Sequence, residues 1–336
     1  SMAWTPPPTL SGASVTVTLA TTINRSRVLA GLVALALPLC VAAAEPYRDP
    51  DLPLETRARD LVSRMTLEEK FWQRFMLSGS LDDGVRKYEH GAFGFKLGSA
   101  CDGANAVTCA NEIQRHFVEN TGLGIPVILF EEALHGLVQR GATSFPQAIG
   151  LAATFDTTLM RDLSDAIATE CRGRGIRQVL SPVVNLADDV RWGRVEETYG
   201  EDPFLASEMG VAFVSGLERQ GVITTPKHLV ANVGQGGRDS YPIDLNERIL
   251  RELHLPPFAA CIRRGGSRSI MTAYNSLDGT PCSASSWLND RWLKEELGFS
   301  GFVISDANAV GGANVLHFTA SDYPDATAKA MLGGLD

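Results

Sequence analysis

The stretch Gly-Phe-Val-Ile-Ser-Asp at residues 301–306 sets the interpretation of the fold, because an apolar segment runs directly into a carboxylate. Residues 302–304 predict a short strand that is buried on both faces. The same pattern recurs in four other segments: 127–130 before Glu131, Glu132 and His135; 179–184 before Asn185; 223–226 before Lys227 and His228; 270–273 before Tyr274 and Asn275. Each predicted strand therefore carries polar groups at its C-terminal tip.

Helical patterns separate these strands along the chain. The predicted strands are 93–97, 126–130, 178–184, 222–225, 269–272 and 302–304, and the predicted helices are 54–75, 158–171, 203–220, 247–263 and 286–297. Thr66 with Glu69 forms a capping-box pattern, which indicates that a new helix begins there. Alternating apolar strands and helices predict an α/β fold with a parallel sheet. We expect a (β/α)8 TIM-type barrel that can be irregular or incomplete at its C-terminal end, because such a barrel gathers its strand tips on one face.

Composition narrows the classes of function. The chain has 336 residues, 44% of them hydrophobic and 21% charged, as in soluble globular proteins. The net charge of −9 argues against nucleic acid as a partner and suits a neutral substrate. The sequence has no dinucleotide fingerprint, Walker loop or Cys/His cluster, so we expect no cofactor and no metal. Cys101 and Cys109 lie close enough in sequence to form a disulfide, but free thiols are equally compatible with it.

The N-terminal segment has the features of a targeting signal. Arg25 and Arg27 precede an apolar run at 28–39, and small residues follow at 41–44. This order predicts a signal peptide at 23–44 and a secreted or periplasmic protein. The run is too short to span a bilayer, and a buried core helix is the alternative. Residues 1–22 are interpreted as an upstream or artificially added segment, which leaves 45–336 as one barrel domain.

Seven motifs in a fixed order carry a resemblance to a known family. They are Glu-Ala-Leu-His-Gly (132–136), Ser-Phe-Pro-Gln (144–147), Arg-Trp-Gly-Arg-Val-Glu-Glu-Thr-Tyr-Gly-Glu-Asp-Pro (191–203), Pro-Lys-His (226–228), Gly-Gly-Arg-Asp (236–239), Met-Thr-Ala-Tyr-Asn (271–275) and Gly-Phe-Val-Ile-Ser-Asp (301–306). Together they cover most of residues 50–336, and the ordered set is far more specific than any one motif. The chain resembles the N-terminal domain of glycoside hydrolase family 3, the β-glucosidases and β-xylosidases.

This resemblance assigns the central chemistry to Asp306, the position of the family nucleophile. A retaining glycosidase needs an ionised carboxylate that attacks the anomeric carbon and forms a covalent glycosyl-enzyme intermediate. A helix N-cap is the structural alternative for Asp306. Lys227 and His228 resemble the family pair that binds sugar hydroxyls, and a core histidine or a Schiff-base lysine are their alternatives.

Other site residues follow from the same resemblance. Arg191 and Arg194 flank Trp192, and we expect one to reach the sugar while the other pairs with a carboxylate such as Glu196 or Glu201. Arg194 is favoured for the sugar, and a structural salt-bridge cluster is the alternative for both.

Four further positions complete the predicted pocket. Glu132 stands where the family places the carboxylate for the outermost hydroxyls. Asp102, in an Asp-Gly pair, is a second carboxylate candidate or part of a simple turn. Tyr274 and Met271 are predicted to wall the pocket beside the nucleophile, or else to pack in the core.

The sequence also departs from the family pattern. Many family β-glucosidases carry an aromatic residue directly after the nucleophile, whereas Ala307 stands here. Together with Glu132 in place of aspartate, this leaves a β-xylosidase open as an alternative to a β-glucosidase. The loop at 230–237 has no histidine, which sets aside the branch that cleaves N-acetylhexosamine.

The last departure concerns the general acid. Residues 333–336 resemble the start of the last barrel strand, and in the family's glucosidases a glutamate on a following α/β sandwich domain is the acid/base. The resemblance thus implies that this domain is absent, so we expect poor hydrolysis of ordinary glycosides. The predicted substrate is a terminal non-reducing β-D-glucosyl residue of an oligosaccharide, or an aryl or alkyl β-glycoside. A lyase or aldolase barrel and a non-catalytic sugar-binding fragment are the remaining alternatives.

Overall fold

Parallel strands follow one another around the fold in the order of the sequence. The computed structural model describes residues 45–78, 81, 88–97, 101, 103–233, 239 and 241–336. Five strands form one parallel sheet in chain order: β1 Met76–Ser78, β2 Gly94–Lys96, β3 Ile128–Glu131, β4 Gln178–Val179 and β5 Ile223–Thr224. The segment 1–22, the signal peptide predicted at 23–44 and Asp102 lie outside the described residues.

A second parallel pair continues this arrangement. It consists of β6 Ser269–Thr272 and β9 Phe302–Ser305, and between them lies a short antiparallel hairpin of β7 Ser276–Leu277 and β8 Thr280–Pro281. Two single parallel bridges extend the strand pairing. One joins Val183, after β4, to Lys227, after β5, and the other joins Leu229, after β5, to Thr272 in β6. The peptide bonds Lys227–His228 and Leu229–Val230 are both cis. The strand order around the fold is therefore β1-β2-β3-β4-β5-β6-β9.

The last residues of the chain contact both the last strand, β9, and the segment before the first strand, β1. The amide of Asp336 donates to the carbonyl of Val303 in β9 at 3.1 Å. Arg74, just before β1, reaches the carbonyl of Leu335 at 3.4 Å, and the rings of Phe93 and Phe302 meet edge to face with centroids 5.0 Å apart. The first strands thus lie beside the last one, as in a closed barrel.

Helices cover the outside of the strands. They are α1 Leu54–Arg64, α2 Leu67–Trp72, α3 Ala106–Asn120, α4 Ala148–Ala152, α5 Thr157–Gly173, α6 Pro203–Glu218, α7 Glu247–Ile249, α8 Pro256–Arg263, α9 Ala309–Val315 and α10 Tyr323–Leu332. Two segments are π-helical, Leu250–His254 and Trp287–Glu296. The strands and their covering helices confirm the predicted α/β class. No helix of the described part of the chain is long and apolar enough to cross a membrane.

The predicted helix at 54–75 divides where its capping signal indicated. Thr66 accepts the amide of Glu69, and Glu69 accepts the amide of Thr66, so α2 begins with a complete capping box. The sequence did not predict β1, whose three residues directly follow the segment 54–75 that was assigned to a helix. It also did not predict the π-helical geometry of 286–297.

One large apolar cluster fills most of the interior of the described residues, and a small second one lies at α9 and α10. The long helix α6 contributes Met209, Phe213 and Leu217, which are excluded from solvent, and packs against α5 and α8. Cys101 and Cys109 form a disulfide, which decides the alternative that the sequence left open. Cys171, Cys261 and Cys282 are buried free thiols.

Candidate active site

The candidate site lies beyond the C-terminal tips of β3, β5, β6 and β9. Strand β9 carries Asp306 directly after its last residue, and the amide of Asp306 donates to the carbonyl of Thr272 in β6 at 3.2 Å. At the other end of β9, Gly301 lies so close to the carbonyl of Arg268 that a Cβ atom would clash with it. Glycine therefore lets β9 start close against β6, and the parallel register then fixes the position of Asp306.

Asp306 lies next to the imidazole of His228. Its Oδ2 is 3.5 Å from Nε2 of His228, and its Oδ1 accepts the amide of Ala307 at 2.7 Å. The side chain of Asp306 is 13% exposed, and that of His228 is 1% exposed. The structure therefore brings together two of the residues that the sequence singled out, at the ends of different strands.

The charge on Asp306 is set by opposing influences. Burial raises the pKa of its carboxyl above the ordinary value, because a low-dielectric site disfavours the ionised form. The positive charge of Lys227 is the largest influence that lowers this pKa, followed by the amide of Ala307 and the hydroxyl of Tyr274. Arg194 acts in the same direction more weakly. The surrounding cations and donors therefore support an ionised carboxylate in a largely buried position.

Lys227 is held by Glu132. Its Nζ donates to both carboxylate oxygens, at 3.0 Å to Oε1 and 2.9 Å to Oε2. The lysine side chain is 4% exposed, whereas that of Glu132 is 32% exposed. Glu132 thus combines a fixed cation on one side with an open face that can accept hydrogen bonds from a ligand.

The orientation of His228 depends on Asn185, at the tip of the β4 segment. The side-chain amide of Asn185 donates to the carbonyl of His228 at 2.9 Å. Its Oδ1 accepts the backbone amide of His228 at 2.8 Å and lies 3.0 Å from the ring Nδ1. Because this oxygen can only accept, Nδ1 carries a hydrogen, and Nε2 is directed at the nucleophile candidate.

Arg194 sits in a second cluster of charges. Its guanidinium donates to both oxygens of Glu197, at 3.0 and 2.7 Å, and to Oδ1 of Asp239 at 3.1 Å. Burial alone would lower the pKa of Arg194, but the hydrogen bonds and charges of Glu197 and Asp239 raise it on balance. Asn232 also donates to Asp239, at 3.2 Å. The arginine is therefore a fixed, permanently charged donor.

Arg191 has a different carboxylate partner from Arg194. It pairs with Asp189, two residues away, and its side chain is 70% exposed. The carboxylate partners of the two arginines are thus Asp189, Glu197 and Asp239, instead of the expected Glu196 or Glu201. That expectation missed Glu197 because neighbouring acids in one turn cannot be told apart by sequence alone.

The predicted pocket walls have different environments. Burial raises the pKa of the Tyr274 hydroxyl, and the negative charge of Asp306 raises it further, so the phenol stays protonated next to the carboxylate. Met271 is buried within β6, and its carbonyl accepts the amide of Leu229 at 2.8 Å. Asp102 lies outside the described residues. No cluster of metal-ligating side chains occurs in the described ranges.

Several residues of this site were missed or only partly indicated by the sequence. Asn185 was visible as a polar strand tip, and Asp239 lies inside one of the quoted motifs, but neither was assigned a role. Lys96 and Glu131, which form an ion pair with 3.0 Å between Nζ and Oε1, were not predicted as site residues. Glu131 carried the same signal as Glu132, a polar side chain at a strand tip, whereas Lys96 fell inside the predicted strand 93–97.

Comparison with known proteins points to one family. Residues 78–336 match the family described as "Glycosyl hydrolase family 3 N terminal domain". A β-xylosidase of Formosa agariphila is 39% identical over 232 residues, which cover 65% of this chain and 32% of that protein. A periplasmic β-glucosidase of Salmonella typhimurium is 32% identical over 318 residues, which cover 90% of this chain and 40% of that protein.

A solved structure shows the same fold. A β-glucosidase from Erythrobacter marinus superposes with a TM-score of 0.81 at 32% identity, covering 88% of this chain and 41% of that one. Together with the family match, this likeness confirms the TIM-type barrel predicted from the sequence. The chain spans about a third to two fifths of the length of these relatives.

Proposed function

The chain belongs to glycosyl hydrolase family 3, and from this premise we propose that it is the barrel of a retaining exo-β-glycosidase with Asp306 as nucleophile. The proposed substrate is the terminal non-reducing β-D-glucosyl residue of an oligosaccharide or of an aryl or alkyl glycoside. One observation carries the proposal: a largely buried carboxylate at one strand tip lies 3.5 Å from His228 of another, and Lys227 is the largest influence that lowers its pKa against the effect of burial.

The proposed sugar-binding groups surround this carboxylate. Glu132 has free acceptor capacity for hydroxyl hydrogens, because only part of its lone-pair capacity is used by Lys227. Lys227, His228 and Arg194 present polar groups fixed by their own partners, and such preorganised groups lose little entropy when a sugar binds. Arg191, which pairs with Asp189, and Asp102, which lies outside the described residues, remain predicted sugar ligands. Tyr274 and Met271 remain predicted pocket walls.

In the proposed first step, a carboxylate oxygen of Asp306 forms a bond to C1 of the sugar while the bond from C1 to the leaving oxygen breaks. The leaving oxygen takes the electron pair and requires a proton. In the second step water attacks C1 and gives a proton to the conjugate base of the same donor, while the bond from C1 to Asp306 breaks and Asp306 is released as a carboxylate. The Asp306 carboxylate thereby alternates between an anion and a neutral ester, and the nearby Lys227 stabilises the anion.

The proton donor is proposed to come from outside the described residues. Among those residues, the other carboxylates of the site each bind a cationic side chain: Glu131 binds Lys96, Glu132 binds Lys227, and Glu197 and Asp239 bind Arg194. Each of these carboxylates thus already accepts hydrogen bonds from a cationic side chain, whereas a general acid must present a proton to the leaving oxygen. An activated aryl glycoside does not need that proton and is therefore the proper probe of this chain.

A β-xylosidase is the second candidate. The relative at 39% identity is a β-xylosidase, and Ala307 provides no aromatic ring beside the nucleophile. A Schiff-base mechanism through Lys227 is less favoured, because both oxygens of Glu132 already accept hydrogen bonds from its nitrogen.

The test is covalent labelling of Asp306. The protein is incubated with 2,4-dinitrophenyl 2-deoxy-2-fluoro-β-D-glucoside and, separately, with the corresponding xyloside, and the labelled peptide is located by mass spectrometry. We expect one fluoroglycosyl group per chain on Asp306, together with stoichiometric release of dinitrophenolate. The faster of the two reagents identifies the preferred sugar.

Matched variants complete the design. Asp306→Asn should take up no label, whereas the exposed Asp162→Asn in α5 should label as the wild type does. Label on any other residue would refute Asp306 as the nucleophile. Binding of glucose or xylose without labelling would instead favour a non-catalytic sugar-binding barrel.

Export through the signal peptide at 23–44 is also proposed, because a relative of this chain is named periplasmic. The test is the N-terminal sequence of the protein after expression in a bacterial host with the complete segment. Cleavage near residue 44 supports export, and an intact N terminus retained in the cytoplasm contradicts it.

A further inference from the structure

An ion pair between a buried carboxylate and a partly exposed lysine lies next to Glu132, the proposed sugar-binding carboxylate. Lys96 is the last residue of β2, and Glu131 is the last residue of β3. Their atoms Nζ and Oε1 are 3.0 Å apart, with the glutamate side chain 4% exposed and that of the lysine 38% exposed. The pair therefore joins two strand tips on the face that carries the proposed active site.

The same carboxylate oxygen also holds the backbone of Glu132. Oε1 of Glu131 accepts the amide of Glu132 at 3.0 Å. The last strand bond here runs from the amide of Leu180 to the carbonyl of Glu131, at 3.0 Å. Strand pairing therefore ends at Glu131 and does not hold the amide of Glu132. The next amide, of Ala133, is satisfied by the hydroxyl of Ser181 at 3.2 Å. Side chains thus fix the main chain where Glu132 leaves the strand.

The ion pair maintains this arrangement electrostatically. Burial raises the pKa of Glu131, and the negative charge of Glu132 adds to this effect. The amide of Glu132 and the ammonium of Lys96 oppose it. Without Lys96, a buried carboxylate would lack its cation, and such a group tends to take up a proton or to move. Either change weakens the hydrogen bond to the amide of Glu132.

We propose that Lys96 and Glu131 are positioning residues for the sugar-binding carboxylate Glu132, acting through its backbone amide. The inference rests on the proposed function, since it assigns Glu132 to substrate hydroxyls. Because Glu132 in turn binds Lys227, the pair sets the direction in which both groups meet the sugar. Substrate affinity, more than the rate of the chemical step at Asp306, depends on the pair.

The experiment measures the dissociation constant and the first-order rate constant for labelling of Asp306 by the dinitrophenyl fluoroglycoside. Glu131→Gln and Lys96→Met should each weaken binding about tenfold and leave the rate constant within about twofold. Lys96→Arg, which keeps the charge, should restore binding to within about threefold of the wild type. Lys70→Met, an exposed lysine in α2, is the matched control and should have no effect.

A second background separates positioning from direct contact. In Glu132→Ala, the additional change Glu131→Gln should have no further effect on binding, because the group that the pair orients is gone. A further loss of similar size in that background overturns the inference, as does an equal fall in binding and rate constant. Failure of Lys96→Arg to restore binding also overturns it.

Failure of the proposed function has a different signature. A wild-type chain that takes up no label on Asp306 refutes the proposed function and, with it, the inference. Normal wild-type labelling with unchanged binding in Glu131→Gln refutes the inference alone. Thermal unfolding of every variant shows whether a loss of binding reflects a loss of fold.

Discussion

Two arginines in this molecule each hold two carboxylates, but in opposite environments. Arg194 lies at the strand tips with its side chain 8% exposed, and Arg251 lies on the outer helices with its side chain 36% exposed. Their partners are Glu197 and Asp239 for the first, and Glu247 and Glu296 for the second. Arg251 also lies over the ring of Trp287, 5.8 Å from its centroid.

The same kind of contact therefore contributes differently to the stability of the two regions. On the helices, water solvates each charge when the pair opens, so the network adds little stability. At the strand tips, a charge that loses its partner stays in a low-dielectric site, so the network is costly to disrupt. Buried charges of this kind are expected where function needs a fixed cation, as the proposed sugar site does.

The largest expected effect is the difference between Arg194→Met and Arg251→Met. The first change leaves Glu197 and Asp239 largely buried without their cation, and it should lower the free energy of unfolding by about 3–5 kcal/mol. The second should lower it by less than about 1 kcal/mol. Chemical denaturation at neutral pH measures both. Equal losses in the two variants would remove the distinction drawn between the clusters.

The next effect concerns catalysis at the buried site. Lys227→Met should slow labelling of Asp306 on the order of 10²-fold, the loss typical for one preorganised charge. Because Lys227 is the largest influence that lowers the pKa of Asp306, the acid limb of the labelling rate should move to higher pH. The partly exposed Lys294→Met, which loses its bond to Asp336, serves as the control. An unshifted acid limb in Lys227→Met would contradict the assignment.

A smaller effect has opposite signs in the two regions. Burial raises the pKa of Asp306, so the native state binds its proton more tightly than the unfolded chain does. Its contribution to stability is present at low pH and is lost as the pH rises through the native pKa. Asp306→Asn should therefore increase the free energy of unfolding at pH 7 by about 1 kcal/mol while abolishing labelling.

Glu296→Gln is the matched change on the helices. A hydrogen bond from Arg251 lowers the pKa of Glu296, so its contribution is present at neutral pH and is lost as the pH falls. This variant should gain no stability at pH 7. Urea titrations measure both variants. A higher free energy of unfolding for Glu296→Gln, or a lower one for Asp306→Asn, would contradict the predicted signs of the two changes.

The smallest expected effect is on the pH dependence of stability. His254, in the π-helical segment Leu250–His254, is buried 3.5 Å from Asp188, and burial lowers its pKa below 6.5 although Asp188 opposes this. Its contribution to stability is therefore complete above about pH 6.5 and is lost as the pH falls through the native pKa. His254→Gln should flatten this acid-side decline, and the half-exposed His90→Gln should leave it unchanged. The midpoints of thermal unfolding of both variants and the wild type between pH 5 and pH 8 test this expectation.

The sequence predicted the fold well where hydrophobic pattern alone determines it. The predicted strand at 269–272 coincides with β6, and 302–304 falls within β9. Thr66 marked the start of α2 because a capping box depends only on neighbouring residues. By contrast, β1 follows directly on a segment with a helical pattern, and the two-residue strands β7 and β8 lack the apolar run that marked the predicted strands.

For the candidate site, the sequence indicated the strand-tip residues but not the partners that hold them. Asp306, Lys227, His228 and Glu132 were visible as strand tips, and the structure places their side chains together. The partners of the arginines were not predictable, because the choice of Glu197 over Glu196 depends on which side of a 3₁₀ turn faces inward. The role of Asn185 in orienting the imidazole likewise depends on a contact between residues 43 positions apart.

A series of backbone hydrogen bonds links the residue after His228 through β6 to Asp306. Leu229, next to His228, exchanges bonds of 2.8 and 2.7 Å with Met271 and Ala273, and Thr272 accepts the amide of Asp306. Main-chain bonds of this kind can be formed by every residue type except proline. Apart from the glycine that β9 needs at 301, this spacing between Asp306 and His228 therefore depends little on side-chain identity. The side chains at the strand tips that are proposed to select the monosaccharide can thus be exchanged while the carboxylate of Asp306 keeps its position.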